Sequence, residues 1–125
     1  PLLIAANGPR SIRLAATLGD GWITYGGRGE TLDAWFAHVG ELVRRFDDAV
    51  DAVGRGPLDR VLSLDSSPRF SLESVELYAE MAGRARELGF TDVVTHWPRS
   101  EGPYAGDVAV LEAVAAQVVS VSRGC

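Results

Sequence analysis

The residues able to do chemistry in this 125-residue chain gather at three turns. Asn7-Gly8-Pro9 closes an apolar run and leads through Arg10-Ser11 into a helical pattern. Free amides at a helix start, the positive end of its dipole and a neighbouring hydroxyl or guanidinium suit an anion such as a phosphate. Gly26-Gly27-Arg28-Gly29 closes a second run. Its glycines let backbone approach a ligand closely, and its arginine can take a phosphate or carboxylate through two parallel hydrogen bonds. His96-Trp97-Pro98-Arg99 leaves a further strand, offering an imidazole for proton transfer or anion contact and a second guanidinium. Each turn also has a plainer reading, as a tight turn, a surface loop and a loop tied to a rim, and the residues alone leave both open.

Other chemistries lack their parts. No Gly-x-Gly-x-x-Gly or Walker loop occurs, and all 12 basic residues are arginine, so no lysine can reach a phosphate. No serine sits in a nucleophile elbow, and Ser63 falls inside a strand pattern. His38 lies beside the apolar stripe of a long helix and reads as structural, while His96 is far from it. With no clustered carboxylates, no metal site is expected. Cys125, the only cysteine, excludes a disulfide framework. Trp22 lies in a short apolar strand and reads as core rather than as a platform for a flat ring.

These turns need elements to hold them, and the chain supplies a repeating strand and helix pattern. Leu2 to Ala6 is a continuous apolar run, as in a strand covered on both faces. Ser11 reads as the N-cap of a short helix with Ile12, Ala15, Ala16 and Leu18 inward, ended by Gly19. Trp22 to Tyr25 is the second strand. Thr31 caps the longest helix, to about Val53, whose stripe is Leu32, Trp35, Phe36, Val39, Leu42, Val43, Phe46, Val50 and Val53. Arg60 to Asp65 is the third strand. Ser71 caps a helix over Leu72 to Leu88, with Leu72, Val75, Tyr78, Ala82, Ala85 and Leu88 on one side. Thr91 to Thr95 is the fourth strand. A last helix, about Asp107 to Val121, presents Val108, Leu111, Ala115, Val118 and Val119.

Four consecutive βα units make an α/β fold with parallel strands, carrying all three turns at the strands' carboxyl ends, where such folds place ligands. An open Rossmann-like sheet and a run of a barrel both fit; the barrel needs only neighbour-to-neighbour pairing, and four units are half of an eight-unit one. Either way, residues 1–125 are one domain's worth of chain.

Composition narrows the partners. Against those 12 arginines stand 17 acidic residues, a formal net charge of -5, so no basic face is offered to nucleic acid. No stretch reaches the 18 or so apolar residues of a membrane span, and neither a signal peptide nor an anchor is evident, so a cytoplasmic setting is expected. The abrupt start at Pro1 suggests a piece of something larger. Four strands would leave two open edges and exposed apolar rows, so a homodimer, or a missing amino-terminal half-barrel, is expected to cover them.

Leu3-Ile4-Ala5-Ala6-Asn7-Gly8-Pro9, then Leu14-Ala15-Ala16 and Leu18-Gly19-Asp20-Gly21-Trp22, resemble the carboxyl-terminal half of the luciferase-like monooxygenase family, flavin- or deazaflavin-dependent enzymes related to bacterial luciferase. Gly56-Pro57, Glu87-Leu88-Gly89-Phe90-Thr91-Asp92-Val93-Val94 and His96-Trp97-Pro98-Arg99 resemble its last units. The resemblance spans essentially the whole chain but under half of a full-length member. It implies the last four units of a (β/α)8 barrel that carries F420, or alternatively FMN, at its carboxyl face and moves a hydride to or from a small organic substrate, or activates oxygen. The turn looks most like the F420 branch. By motif position Ala6, Asn7 and Gly8 would hold the cofactor phosphate, Thr24 would approach the cofactor, and Arg28, with His96 and Arg99, would bind substrate or phosphate. Asn7 stands where glycine is frequent. The groups nearest the reactive ring come from the barrel's other half, so the resemblance names no catalytic residue here. The alternative is a non-catalytic half-barrel serving as a ligand-binding or assembly module.

Overall fold

A computed structural model describes residues 1–123, with side chains placed through residue 118. Cys125 and the side chain of Val119 lie outside the described residues. The chain forms β1 (Leu3–Ala5), α1 (Pro9–Leu18), β2 (Gly21–Thr24), α2 (Leu32–Val53), β3 (Asp59–Ser63), 3-10 turns at Leu64–Ser66 and Ser71–Glu73, α3 (Val75–Glu87), β4 (Asp92–Val94) and α4 (Val108–Arg123). The strands pair in parallel in the order β1-β2-β3-β4. Neighbour pairing without a reversal of order decides between the two architectures: this is half of a (β/α)8 barrel.

One face of the sheet builds the core. Strand side chains alternate, and Trp22, Thr24, Leu62 and Leu64 are wholly buried on the helix side. Trp22 stacks on Phe46 of α2 at 4.5 Å and lies 5.9 Å from Phe90, so it is core, as its setting predicted. The α2 stripe is buried from Trp35 to Val50, but Val53 at its end is 40% exposed. Thr31 caps α2 through a bond from the Ala34 amide at 3.1 Å. Beyond the helix, Arg55 reaches back to the carbonyls of Ala16 and Gly19 at 3.1 and 2.7 Å. A cation thereby satisfies the orphan carbonyls at the end of α1.

The opposite face, which would line a barrel's interior, is open among the described residues. Leu3 is 40% and Val94 42% exposed, and Ala5 is also exposed, although Val61 in the middle is buried. At the sheet's far edge a groove of about 590 Å³ runs between α3, β4 and α4, lined in part by Tyr78, Phe90, Val93 and Val114.

Several local expectations change. Gly8, not Ser11, is the N-cap of α1, because Pro9 fits the first helical position and draws the start forward. Leu18 points outward at 63% exposure. In the third helix Ser74, not Ser71, is the cap: its hydroxyl accepts from the Leu77 amide at 3.0 Å. The break there turns the buried face to Leu77, Met81 and Ala85, so Val75, Tyr78 and Ala82 are only half-buried. Among the described side chains of α4 Val114 is the buried one, whereas Ala115 and Val118 are exposed.

Candidate functional site

Parallel strands in sequential order bring every strand-to-helix turn to one edge of the sheet, so the turns of Gly8, Arg28 and Arg99 open at a common rim. The first turn is held from below. Ala6 donates its amide to the Ile23 carbonyl at 3.0 Å, and its carbonyl accepts the Trp22 indole N–H at 2.7 Å. Both backbone groups of this buried residue are thus taken up by the chain itself.

Asn7 ties the first turn to the second. Its Oδ1 accepts from the wholly buried Thr24 hydroxyl at 2.6 Å, its Nδ2 donates to the Gly26 carbonyl at 2.5 Å, and the Thr24 Oγ1 accepts from the Gly26 amide at 3.3 Å. An asparagine provides one acceptor and two donors on a short side chain. Glycine at position 7 would remove both of these side-chain ties between the two turns.

Gly8 itself has an ordinary extended backbone, φ -95°, so conformational freedom is not its use. A Cβ added there would meet only the Ser11 Oγ, at 3.7 Å. The position is uncrowded at the start of α1. The Ser11 hydroxyl bonds back to the amide and carbonyl of Gly8, at 3.2 and 3.1 Å. The amides of Arg10 and Ser11 enter none of the described hydrogen bonds, the first helical bond being from Ile12 to Gly8. Two unpaired N–H groups at the positive end of a ten-residue helix, with room in front of them, fit a phosphate oxygen.

The second turn departs from its expected purpose. Gly26, Gly27 and Gly29 all take positive φ, 66°, 144° and 130°. A Cβ on Gly26 would fall 2.6 Å from Trp35 Nε1, and one on Gly29 would fall within the α2 backbone at Trp35. These two glycines let the loop lie down on the first turn of α2. A Cβ on Gly27 would meet only Asn7 Nδ2, at 3.7 Å. Arg28 is exposed and, among the described residues, forms no ion pair.

The remaining turns hold a residue the sequence reading missed. Asp65 follows β3, and its side chain is completely buried. Its Oδ1 accepts the Ser71 amide at 2.8 Å; its Oδ2 accepts the His96 amide at 2.8 Å and lies 2.9 Å from His96 Nδ1, with the Thr95 hydroxyl at 3.3 Å. Ser71 and Thr95 join hydroxyls at 2.6 Å. The His96 ring stacks on Tyr104 at 4.2 Å. Tyr104 is fixed by its carbonyl, which accepts the Arg99 amide at 2.8 Å, and by Phe70 at 5.8 Å. The side chain of Arg99 is exposed. A carboxylate directly after an apolar strand, on the edge where ligands bind, was the available signal for Asp65.

The structure therefore bonds Asn7 to Thr24, with Ala6 and Gly8 on either side of Asn7 in the same turn, and couples His96 to Asp65. Arg28 and Arg99 stand on the same rim outside both groups. Among the described residues no set of three His, Cys, Asp or Glu is grouped to hold a metal, and no helix is long and apolar enough to cross a membrane.

No family model matches the chain, and no solved structure matches it. Curated relatives do. The chain is 30% identical over 93 residues, 70% of its length and 26% of the relative's, to an F420-dependent glucose-6-phosphate dehydrogenase of Mycolicibacterium gilvum (strain PYR-GCK). It is 29% identical to the protein of that name from Nocardia farcinica (strain IFM 10152), covering 98% of this chain and 35% of the relative. The corresponding protein of Kineococcus radiotolerans is 30% identical, with 82% and 36% covered. The chain spans about a quarter to a third of the length of these relatives. At about 30% identity it is distantly similar to F420-dependent oxidoreductases of the luciferase-like superfamily.

Proposed function

We propose that this chain supplies the carboxyl-terminal half of the binding rim of an F420-dependent oxidoreductase, with FMN as the alternative cofactor. Its work is to bind and orient. The cofactor phosphate would rest against the amides of Arg10 and Ser11 in the space left by Gly8, with Asn7 and Thr24 fixing the turn and Ala6 anchoring it. Arg28 and Arg99 would take the anionic end of a small substrate, and His96 would contact the same substrate. When bound, F420 takes up or gives a hydride, and FMN in this superfamily also activates oxygen. The wall around the reactive ring would come from elsewhere, because these four units offer a phosphate cradle and not an enclosure.

The observation that carries the reading is the pair of unpaired amides behind Gly8 on the rim that also bears the exposed Arg28 and Arg99. Its test is retention of cofactor. The protein is incubated with F420 and separately with FMN, desalted, and read by absorbance. Gly8→Val is expected to abolish retention while leaving circular dichroism unchanged. A folded sample that keeps neither cofactor would refute the reading and favour the second one, a half-barrel whose role is assembly.

That second reading has its own support in the open sheet face with Leu3 and Val94 exposed. On either reading a second set of strands, from a second copy or from an amino-terminal half-barrel, covers this face. Light scattering at two concentrations tests the homodimer, and a monomer at high concentration would exclude it.

A further inference from the structure

We infer that Asp65 is a positioning residue which fixes the ring of His96 with its hydrogen on Nδ1 and turns Nε2 to the rim as an acceptor for a hydroxyl-bearing ligand. The hydroxyl-ligand part rests on the proposed rim; the Asp65 and His96 part does not.

The argument begins with what Asp65 can do. Its side chain is wholly buried, and its partners other than the His96 ring are donors: the Ser71 and His96 amides and the Thr95 hydroxyl. A carboxylate oxygen cannot donate, so the hydrogen between it and Nδ1 belongs to the ring. In a neutral imidazole the other nitrogen then carries the lone pair, the usual way in which a carboxylate selects a histidine tautomer.

The ring also cannot turn away. One oxygen of Asp65 holds both the backbone amide and the ring of His96. The Ser71 and Thr95 hydroxyls rivet the neighbouring backbone, and Tyr104 covers one ring face with an interplanar angle of 13°. Tying the loop to the sheet would need only the two backbone amides. The additional ring bond, on a side chain that remains 38% exposed, orients an imidazole that faces outward. Among the described hydrogen bonds none involves Nε2. A neutral nitrogen with a lone pair accepts from a hydroxyl and does not attract a phosphate. The three rim residues thus divide: Arg28 and Arg99 suit the anionic group, and His96 suits a hydroxyl on the same ligand.

The test needs no cofactor. The chain has only two histidines, His38 and His96. Nitrogen-15 NMR of the ring reads the tautomer in the unaltered protein, and diethyl pyrocarbonate followed by peptide mass spectrometry reads the reactivity of each imidazole. The expected result, read at a pH high enough for the imidazole to be neutral, is a single hydrogen on Nδ1 of His96, and acylation of His96 slowed about tenfold in Asp65→Asn relative to the internal His38 reference, the lower end of what loss of such a partner costs. Asp65→Glu should restore part of the rate. Finding the hydrogen on Nε2 in the unaltered protein would overturn the inference, whether or not Asp65→Asn folds. A folded Asp65→Asn with unchanged tautomer and rate would do the same. Cofactor retention that fails while the His96 result holds would overturn the cofactor reading alone.

Discussion

The link between Asn7 and Thr24 invites a double-mutant cycle. Asn7→Ala removes the bond from the Thr24 hydroxyl and the bond to the Gly26 carbonyl. At about 1 kcal/mol net each, the loss is about 2 kcal/mol, rising toward 3 because Gly26 is buried and its carbonyl is left without a partner. Thr24→Val preserves the shape of a wholly buried side chain but removes the same hydroxyl, together with the longer bond from the Gly26 amide. That change costs about 1.5 to 2 kcal/mol. Because the 2.6 Å bond belongs to both residues, the double variant should lose about 1 kcal/mol less than the sum of the singles. Urea unfolding followed by tryptophan fluorescence measures each term, the buried Trp22 and Trp35 reporting on the core, and equal slopes across the set would show that the unfolded states are comparable. Additivity within about 0.3 kcal/mol would mean that the two side chains do not share a bond, and the tie between the first two turns would be refuted.

Two further outcomes check the local structure. Ser74→Ala should cost about 1 kcal/mol by removing the cap of α3, measured by the same unfolding; an unchanged midpoint would return the cap to another residue. Burial, working against a smaller opposing effect of Arg86, raises the ionisation of the Tyr78 phenol above its ordinary value. Its neutral form is therefore favoured by folding, so this contribution is intact below the ordinary phenol pKa and is lost as pH rises through the raised one. Tyr78→Phe should remove a component that titrates above the ordinary phenol value from an alkaline absorbance titration.

The order of elements was legible because each βα unit carries its own punctuation. Gly19, Gly54 and Gly89 follow helices, and short apolar runs mark the strands, so local signals and final structure coincide. The long stripe of α2 was equally plain, since nine apolar positions at intervals of three and four admit one face. What failed depended on partners distant in sequence. Ser71 and Ser74 are indistinguishable as caps by type; Ser71 is drawn inward by Thr95, 24 positions on, which leaves the cap to Ser74. The stripe chosen for the third helix assumed no break, and the extended backbone at Ser74, φ -155°, rotated it. At the rim, Gly8, Arg28, His96 and Arg99 stood out by type and position. Asp65 did not, because its significance comes from His96, 31 positions away.

The glycine loop after β2 has a practical consequence for anyone who would diversify this rim. A library that randomised positions 26 to 29 as a loop would fail at three of the four. Side chains at 26 and 29 would be driven into Trp35, and one at 27 would be strained by its φ of 144°, which leaves 28 alone exposed and unstrained. Tolerance should therefore be confined to one of four consecutive residues. Variation meant to retune ligand choice belongs at Arg28, with the three glycines kept as they are.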